Sequence, residues 1–121
     1  MNDEKRMIDI GYNFMVGGDG LVYEGRGWDA VGAHLRGWND RSLGVCLVGS
    51  FNIQEPSAAQ MSALSSLLRW GVQLGKLSPQ YQLAGACQLS ARSSPGLRVM
   101  DIIRLWARWW TFMYSSSACS Q

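Results

Sequence analysis

The sequence predicts an α/β fold in which a mixed central β-sheet is flanked by helices. Short β-rich runs separated by glycines occupy the first part of the chain, a nearly continuous apolar run follows at Leu43–Gly49, and a helical apolar pattern covers Ser57–Leu74. With 121 residues and a hydrophobic fraction of 47%, the chain is typical of one globular domain rather than of a disordered segment.

Two short strands joined by a tight hairpin open the predicted sheet. The β-rich runs are Tyr12–Gly17 and Leu21–Glu24, and the joining residues are Gly17-Gly18-Asp19-Gly20. Glycine supplies the positive φ angles that such a hairpin needs. Leu43–Gly49 is bounded by turn residues, so we expect it to form a buried central strand.

The clearest predicted helix is Ser57–Leu74. Ser57-Ala58-Ala59-Gln60 fits a capping box, in which the Gln60 side chain reaches back to the cap amide. Gly75 follows, where a left-handed residue ends a helix. The apolar side chains that recur at helical spacing are Met61, Leu64, Leu67, Leu68 and Val72.

The last third of the chain predicts a short strand at Tyr81–Ala84 and a final helix that starts at Pro95. A solvated face is predicted for the charged residues of that helix, Arg98, Asp101, Arg104 and Arg108. Its predicted inward residues are Val99, Ile102, Ile103, Trp106, Trp109 and Trp110.

Charge and cysteine content exclude several classes of protein. A net charge of +2 with interspersed signs gives no basis for nucleic-acid binding, and no uncharged segment is long enough to span a membrane. The three cysteines are odd in number and lack a CxxC spacing, which argues against a disulfide framework and a zinc knuckle. Cys46 lies in an apolar run, which predicts a buried free thiol.

The segment Gly11–His34, continued through Gly37-Trp38-Asn39 and Leu43–Gly49, resembles the peptidoglycan recognition proteins and their relatives, the T7-lysozyme-type amidases. The resemblance implies a partial domain at 9–110, an unrelated start at 1–8 and a flexible tail at 111–121. It also implies the family's α/β fold without its N-terminal strand and helix.

The resemblance implies a zinc centre in active relatives, built from two His and one Cys, that cuts the bond between N-acetylmuramic acid and L-alanine. The first His belongs to the N-terminal strand, and no His stands before Asp9 here. The second lies in a stretch resembling Gly-His-Arg-Asp-Val, where this chain has Ala86. The Cys of a Cys-Pro-Gly sequence is Ser94 here, and a serine hydroxyl is a poor zinc ligand. We therefore expect no metal cofactor and no catalysis, with Cys87 as an unfavoured substitute ligand.

Six residues are expected to contact ligand by this resemblance. A plainer structural interpretation stays open for four of them, which for Arg92 is that of a surface Arg. Tyr12 matches the family Tyr near the scissile amide, or it is a half-buried strand aromatic. Arg26 matches an Arg associated with meso-diaminopimelic acid peptidoglycan, or it pairs with Glu24 or Asp29 on the surface. His34 matches a groove residue, or it is structural. The others are Trp38 and Asn39 at the rim and Arg92, two residues before Ser94; Trp28 is interpreted as packing.

Three functions remain as hypotheses. The first is a non-catalytic peptidoglycan recognition protein that binds bacterial cell-wall muropeptides in innate immune sensing or regulation. The second is an interaction module that pairs with a full-length receptor without binding peptidoglycan, and the least favoured is a zinc N-acetylmuramoyl-L-alanine amidase. Relatives are mostly secreted or on the cell surface, yet the start of this chain carries no export signal, so the sequence predicts no compartment.

Overall fold

The structure is a computed structural model that describes residues 11–115, 117 and 119. The predicted unrelated start at 1–8 lies outside the described residues, and the predicted domain boundaries stay a prediction. In chain order the described elements are β1 (Phe14–Val16), β2 (Val22–Glu24), β3 (Val45–Leu47), α1 (Ala58–Gln73), a 3-10 helix (Ala86–Gln88) and α2 (Leu97–Ile103).

The contacts divide the chain into two compact units. The first comprises the described residues up to Val48 together with Ser57–Leu77, and the second comprises Gly49–Pro56 with the described residues from Ser78 onward. None of the described helices is long and apolar enough to cross a bilayer.

The sheet of the first unit is mixed, as the sequence predicts. Its order is β2-β1-β3. β1 pairs antiparallel with β2, with Met15 opposite Tyr23, and parallel with β3, with Met15 opposite Cys46. The predicted central strand at Leu43–Gly49 is therefore an edge strand of the described sheet, and β1 is the central one.

The glycine hairpin between β1 and β2 is confirmed. Gly17 N–H donates to Leu21 O at 2.9 Å, and Gly20 has a φ of 85°. The Asp19 carboxylate accepts from Leu21 N–H at 3.0 Å and from the Tyr23 hydroxyl at 3.0 Å. These two bonds, the backbone bond most of all, hold the pKa of Asp19 below its usual value.

Helix α1 begins as predicted, at a serine cap. Ser57 Oγ accepts from Gln60 N–H at 3.0 Å. The predicted capping box is wrong, because the Gln60 amide points inward and donates to Val16 O at 2.9 Å and Val48 O at 3.1 Å. The amide thus joins the end of β1 to the residue after β3, and it adds to the bond that Val16 O already accepts from Val48 N–H. Gly75, with a φ of 74°, ends the helix as predicted.

The core of the first unit lies between the sheet and the predicted apolar face of α1. Phe14, Val16 and Leu67 are buried at its centre. Met61, Leu64, Leu67 and Leu68 are all buried, as predicted, whereas Val72 is half-buried. Trp28 packs on this core, with its ring 4.6 Å from Phe14 and 6.1 Å from Trp70, which agrees with its interpretation as packing.

The second unit corrects the predicted final helix at both of its ends. The cap is Gly96, so α2 starts at Leu97 rather than at Pro95, and it ends at Ile103. Val99, Met100 and Ile103 are buried, but Trp106, Trp109 and Trp110 lie beyond the helix and are half-buried. The predicted strand at Tyr81–Ala84 is only a single bridge, Leu83 with Trp109. This bridge takes the backbone of Trp109 out of the helical pattern.

A disulfide joins Cys87 to Cys119, although the odd number and the spacing of the cysteines argued against a disulfide framework. Cys119 is fully buried, so this point of the predicted flexible tail is tied to the 3-10 helix. Cys46 is the free cysteine, as predicted, but it is half-buried rather than buried. That partial burial raises the pKa of its thiol.

Candidate functional site

Three of the predicted ligand residues lie around the start of β1 in the first unit. Tyr12 stands two residues before that strand, and its carbonyl accepts from Arg26 N–H at 3.0 Å. The Tyr12 ring is stacked with the His34 imidazole, with centroids 6.3 Å apart and planes 21° from parallel. All three side chains are half-buried. Tyr12 is thus linked to Arg26 by a backbone hydrogen bond and to His34 by the stacking of their rings.

Asn13 holds this neighbourhood together, and sequence reasoning missed it. The side chain is 1% exposed; its Nδ2 donates to Gly27 O at 2.8 Å and Ala30 O at 2.9 Å, and its Oδ1 accepts from Gly44 N–H at 2.9 Å. Its carbonyl accepts from the N–H groups of Gly25 and Gly27, both at 3.0 Å. The signal in the sequence was a lone amide beside an apolar strand that precedes a glycine-rich loop, since a buried amide must find several backbone partners.

The imidazole of His34 lies between two glycines. A Cβ built on Gly44 would overlap the imidazole ring, and one built on Gly32 would stand 2.5 Å from His34 Cδ2. Any larger residue at either position must displace the ring. The glycine at 44 is therefore required by the close approach of His34, and it also donates to Asn13.

Replacement of Gly44 by alanine is expected to displace the His34 ring and to lower the free energy of unfolding by about 1–3 kcal/mol, because the new methyl group has no room. Urea denaturation measures the stability, and the ¹H–¹³C NMR signals of the imidazole report the displacement. Gly18→Ala is the matched control, since nothing lies within 4 Å of its added Cβ. Equal denaturation midpoints for the two variants would contradict the packing described.

The two predicted rim residues, Trp38 and Asn39, differ in their contacts. Asn39 Oδ1 accepts from the N–H groups of both His34 and Leu35 at 2.8 Å, so it shapes the backbone that carries His34. Trp38 is half-buried, and the Arg41 guanidinium lies 5.4 Å from its ring centroid. Asn39 therefore acts on the site through His34, whichever ligand the site takes.

Arg26 is held by the loop that follows β2. Its Nη1 donates to Val31 O at 3.2 Å. Of the two acidic residues considered as its surface partners, Asp29 pairs with Lys76 at 2.7 Å, and the Glu24 carboxylate lies against Gly27. Asn13 fixes the backbone of this loop through the carbonyls of Gly27 and Ala30, on either side of the loop segment that follows Arg26.

The remaining predicted positions lie in the second unit. Arg92 is exposed there. Ala86 and Ser94, which replace the family's metal ligands in the resemblance, are brought close together, because Cys87 N–H donates to Ser94 O at 2.8 Å. Cys87, the unfavoured substitute ligand, forms the disulfide with Cys119 and therefore has no thiolate to offer a metal ion. Within residues 11–115, 117 and 119, no three His, Cys, Asp or Glu side chains are grouped so that they could hold a metal ion.

Gln88 is a second buried amide that the sequence reasoning missed, and it lies beside these positions. Its Oε1 accepts from Gly85 N–H at 2.9 Å and from Trp109 Nε1–H at 3.0 Å. Its Nε2 donates to Trp110 O at 2.6 Å and to Phe112 O at 3.0 Å. The 3-10 helix is thereby fastened to the segment that follows α2.

A mixed sheet flanked by helices defines an α/β domain, and a phenol, a guanidinium and an imidazole lie together around the start of β1. The sequence profile of the N-acetylmuramoyl-L-alanine amidase family matches residues 1–97. A peptidoglycan recognition protein of Bombyx mori is 52% identical over 101 residues, which are 84% of this chain and 52% of that protein. The chain belongs to the family of peptidoglycan recognition proteins, which share the amidase-like domain.

Two solved structures share the fold at high sequence identity. One is the ectodomain complex of the peptidoglycan recognition proteins LCa and LCx bound to tracheal cytotoxin, 51% identical with a TM-score of 0.82 over 84% of this chain and 61% of that one. The other is peptidoglycan recognition protein LE with tracheal cytotoxin, a monomeric diaminopimelic acid-type peptidoglycan, 42% identical with a TM-score of 0.82 over 84% and 59%. The chain spans about half the length of the curated relative from Bombyx mori, 52%.

Proposed function

We propose that this chain is a non-catalytic peptidoglycan recognition domain that binds bacterial cell-wall muropeptides of the diaminopimelic acid type, in innate immune sensing or regulation. The observation that carries the proposal is the linked set of Tyr12, Arg26 and His34. The resemblance adds that Ala86 and Ser94 stand where active relatives carry zinc ligands. Two structural relatives bind tracheal cytotoxin, which is a monomeric diaminopimelic acid-type peptidoglycan.

The chemistry of Arg26 supports the diaminopimelic type. Diaminopimelic acid differs from lysine by one extra carboxylate, and a guanidinium matches a carboxylate with two parallel hydrogen bonds. Arg26 is half-buried and its loop is fixed by Asn13, so the guanidinium is held in place before any ligand arrives. A prearranged donor loses little freedom on binding, which favours both affinity and discrimination.

The side chains of Ala86 and Ser94 support the absence of catalysis, since they do not supply suitable ligands for a zinc ion. An alanine offers no ligand atom, and a neutral hydroxyl binds zinc weakly beside the thiolate that it replaces. Cys87 is oxidised in the disulfide. Incubation of the protein with added zinc and a muropeptide is expected to release no free peptide; release would overturn this part of the proposal.

Replacement of Arg26 by alanine is expected to weaken binding of a diaminopimelic-type muropeptide by about ten- to a hundredfold, the worth of a charge-assisted pair. Calorimetric titration of the wild type and the variant gives the two dissociation constants. A lysine-type muropeptide, which lacks the extra carboxylate, should lose much less affinity with the same variant.

Arg69→Ala is the matched control, because it removes the same charge from an exposed position of α1, where Arg69 contacts Ser66. Its affinity for muropeptide should equal that of the wild type. Unchanged binding by Arg26→Ala, or an equal loss in both variants, would reject Arg26 as the carboxylate reader.

A second candidate function is pairing with a full-length receptor without binding peptidoglycan. The edge position of β3 favours it, because within the described sheet no strand pairs with the outer side of Val45–Leu47. One structural relative is itself a complex of two peptidoglycan recognition ectodomains. Co-purification with a full-length relative that added muropeptide leaves unchanged would favour this candidate; no association at micromolar concentration would reject it.

A further inference from the structure

The segment 104–114, which we call the aromatic loop, has an unusual composition for a surface. Five aromatic side chains stand within residues 106–114, and residues 102–121 contain two Arg and no Asp or Glu. The apolar residues of the loop are largely exposed: Leu105 by 86%, Met113 by 69% and Phe112 by 44%. An exposed apolar cluster beside cations marks a binding surface rather than a solvated one.

Ring contacts close the aromatic loop on itself. The Arg104 guanidinium lies 4.5 Å from the Tyr114 ring centroid and 5.8 Å from that of Trp109, and these two rings meet edge to face at 5.4 Å. The contact of Arg104 with Tyr114 joins the first and last residues of the loop. The two most exposed apolar side chains of the loop, Leu105 and Met113, are the chain neighbours of these two residues.

Hydrogen bonds with Gln88 and Leu83 fix the backbone of the aromatic loop. Gln88 donates to Trp110 O and Phe112 O, and Trp110 N–H donates to Leu83 O at 2.8 Å. Met113 has a φ of 56°, the left-handed region that a bulky residue rarely adopts. A strained backbone persists where the surroundings impose it, and it is often associated with function. Here it holds an exposed methionine at the end of an anchored loop.

We infer that the aromatic loop binds an anionic lipid surface. Half-buried Trp and Tyr with polar ring atoms suit the interface between headgroups and acyl chains, and exposed Leu105, Phe112 and Met113 suit the shallow apolar layer beneath it. Arg104 and Arg108 are exposed cations beside aromatic rings, so anionic headgroups can reach both of them. An acidic polypeptide would pair with the two cations but would leave the exposed side chains of Leu105, Phe112 and Met113 without an apolar environment.

Vesicle flotation with the whole chain tests the inference, and aggregated protein does not float. Wild type is expected to float with vesicles of 30% phosphatidylglycerol at least about tenfold more than with pure phosphatidylcholine, and less as salt is raised. The double variant Leu105→Ser/Met113→Ser should reduce flotation about tenfold, and Arg108→Gln about fivefold on the anionic vesicles. Circular dichroism confirms that each variant is folded.

The matched control is Ile53→Ser/Leu21→Ser, which removes two apolar side chains that are 91% and 57% exposed outside the loop. It should float like the wild type. Equal loss in the control would attribute flotation to general surface stickiness and overturn the inference. Equal flotation with neutral and anionic vesicles would overturn the inference as well. So would capture on polyglutamate beads that is as strong as on vesicles and that the variant Leu105→Ser/Met113→Ser loses to the same extent.

Discussion

Replacement of Asn13 by alanine is expected to lower the free energy of unfolding by about 3–5 kcal/mol, one of the largest losses that a single substitution can cause in this chain. The variant leaves the carbonyls of Gly27 and Ala30 and the N–H of Gly44 without the amide that satisfies them. The bonds to Gly27 O and from Gly44 N–H are buried, so water cannot readily replace the amide there, whereas the bond to Ala30 O is only partly buried. Urea denaturation followed by circular dichroism measures the loss.

Asn52→Ala is the matched control, because Asn52 is exposed and accepts from Leu97 N–H at 3.2 Å at the start of α2. Its loss should not exceed about 1 kcal/mol, the usual cost at a helix cap. An Asn13→Ala variant as stable as Asn52→Ala would contradict the description of Asn13 as the residue that holds the loops around Tyr12, Arg26 and His34.

Removal of the disulfide by Cys119→Ser is expected to lower the free energy of unfolding by about 3–4 kcal/mol, because the bond closes a loop with a sequence separation of 32. The effect comes mainly from the greater freedom of the unfolded chain. Since Cys119 lies in the second unit with Trp106, Trp109 and Trp110, tryptophan fluorescence during urea denaturation is a suitable measure.

Two controls isolate the disulfide in this experiment. Wild type kept in a reducing agent should match the Cys119→Ser variant, and Cys46→Ser should retain most of the stability, because Cys46 is half-buried and forms no disulfide. A thiol titration of unreduced wild type under denaturing conditions should find one thiol. Three thiols, or a midpoint that reductant leaves unchanged, would contradict the bond between Cys87 and Cys119.

Local patterns were sufficient to predict the elements of the first unit. The glycine run placed the hairpin, because few other residues adopt the angles of Gly20, and Ser57 placed the start of α1, because a hydroxyl satisfies the first free N–H groups. The apolar spacing identified four buried residues of that helix. These features depend on neighbours within a few residues, so sequence carries them directly.

The resemblance could point to Tyr12, Arg26 and His34 but not to what holds them. Asn13 makes its side-chain bonds 14, 17 and 31 residues away, and no local pattern contains such partners. The same limit explains Gln60, whose predicted cap bond is replaced by bonds to strand carbonyls 12 and 44 residues away. A buried amide bonds to the backbone groups that the fold brings within its reach, and those can lie far away in sequence.

The sequence by itself determined the mixed sheet, the glycine hairpin and the serine-capped helix, because spacing and side-chain chemistry act over short distances. Only the tertiary structure decided that α2 ends at Ile103, that Cys87 pairs with Cys119 and that Asn13 fixes the loop. The physical reason is that hydrogen bonds and disulfides between distant segments form only after those segments meet. The buried hydrogen bonds then outweigh local preferences, because a buried polar group without a partner is costly.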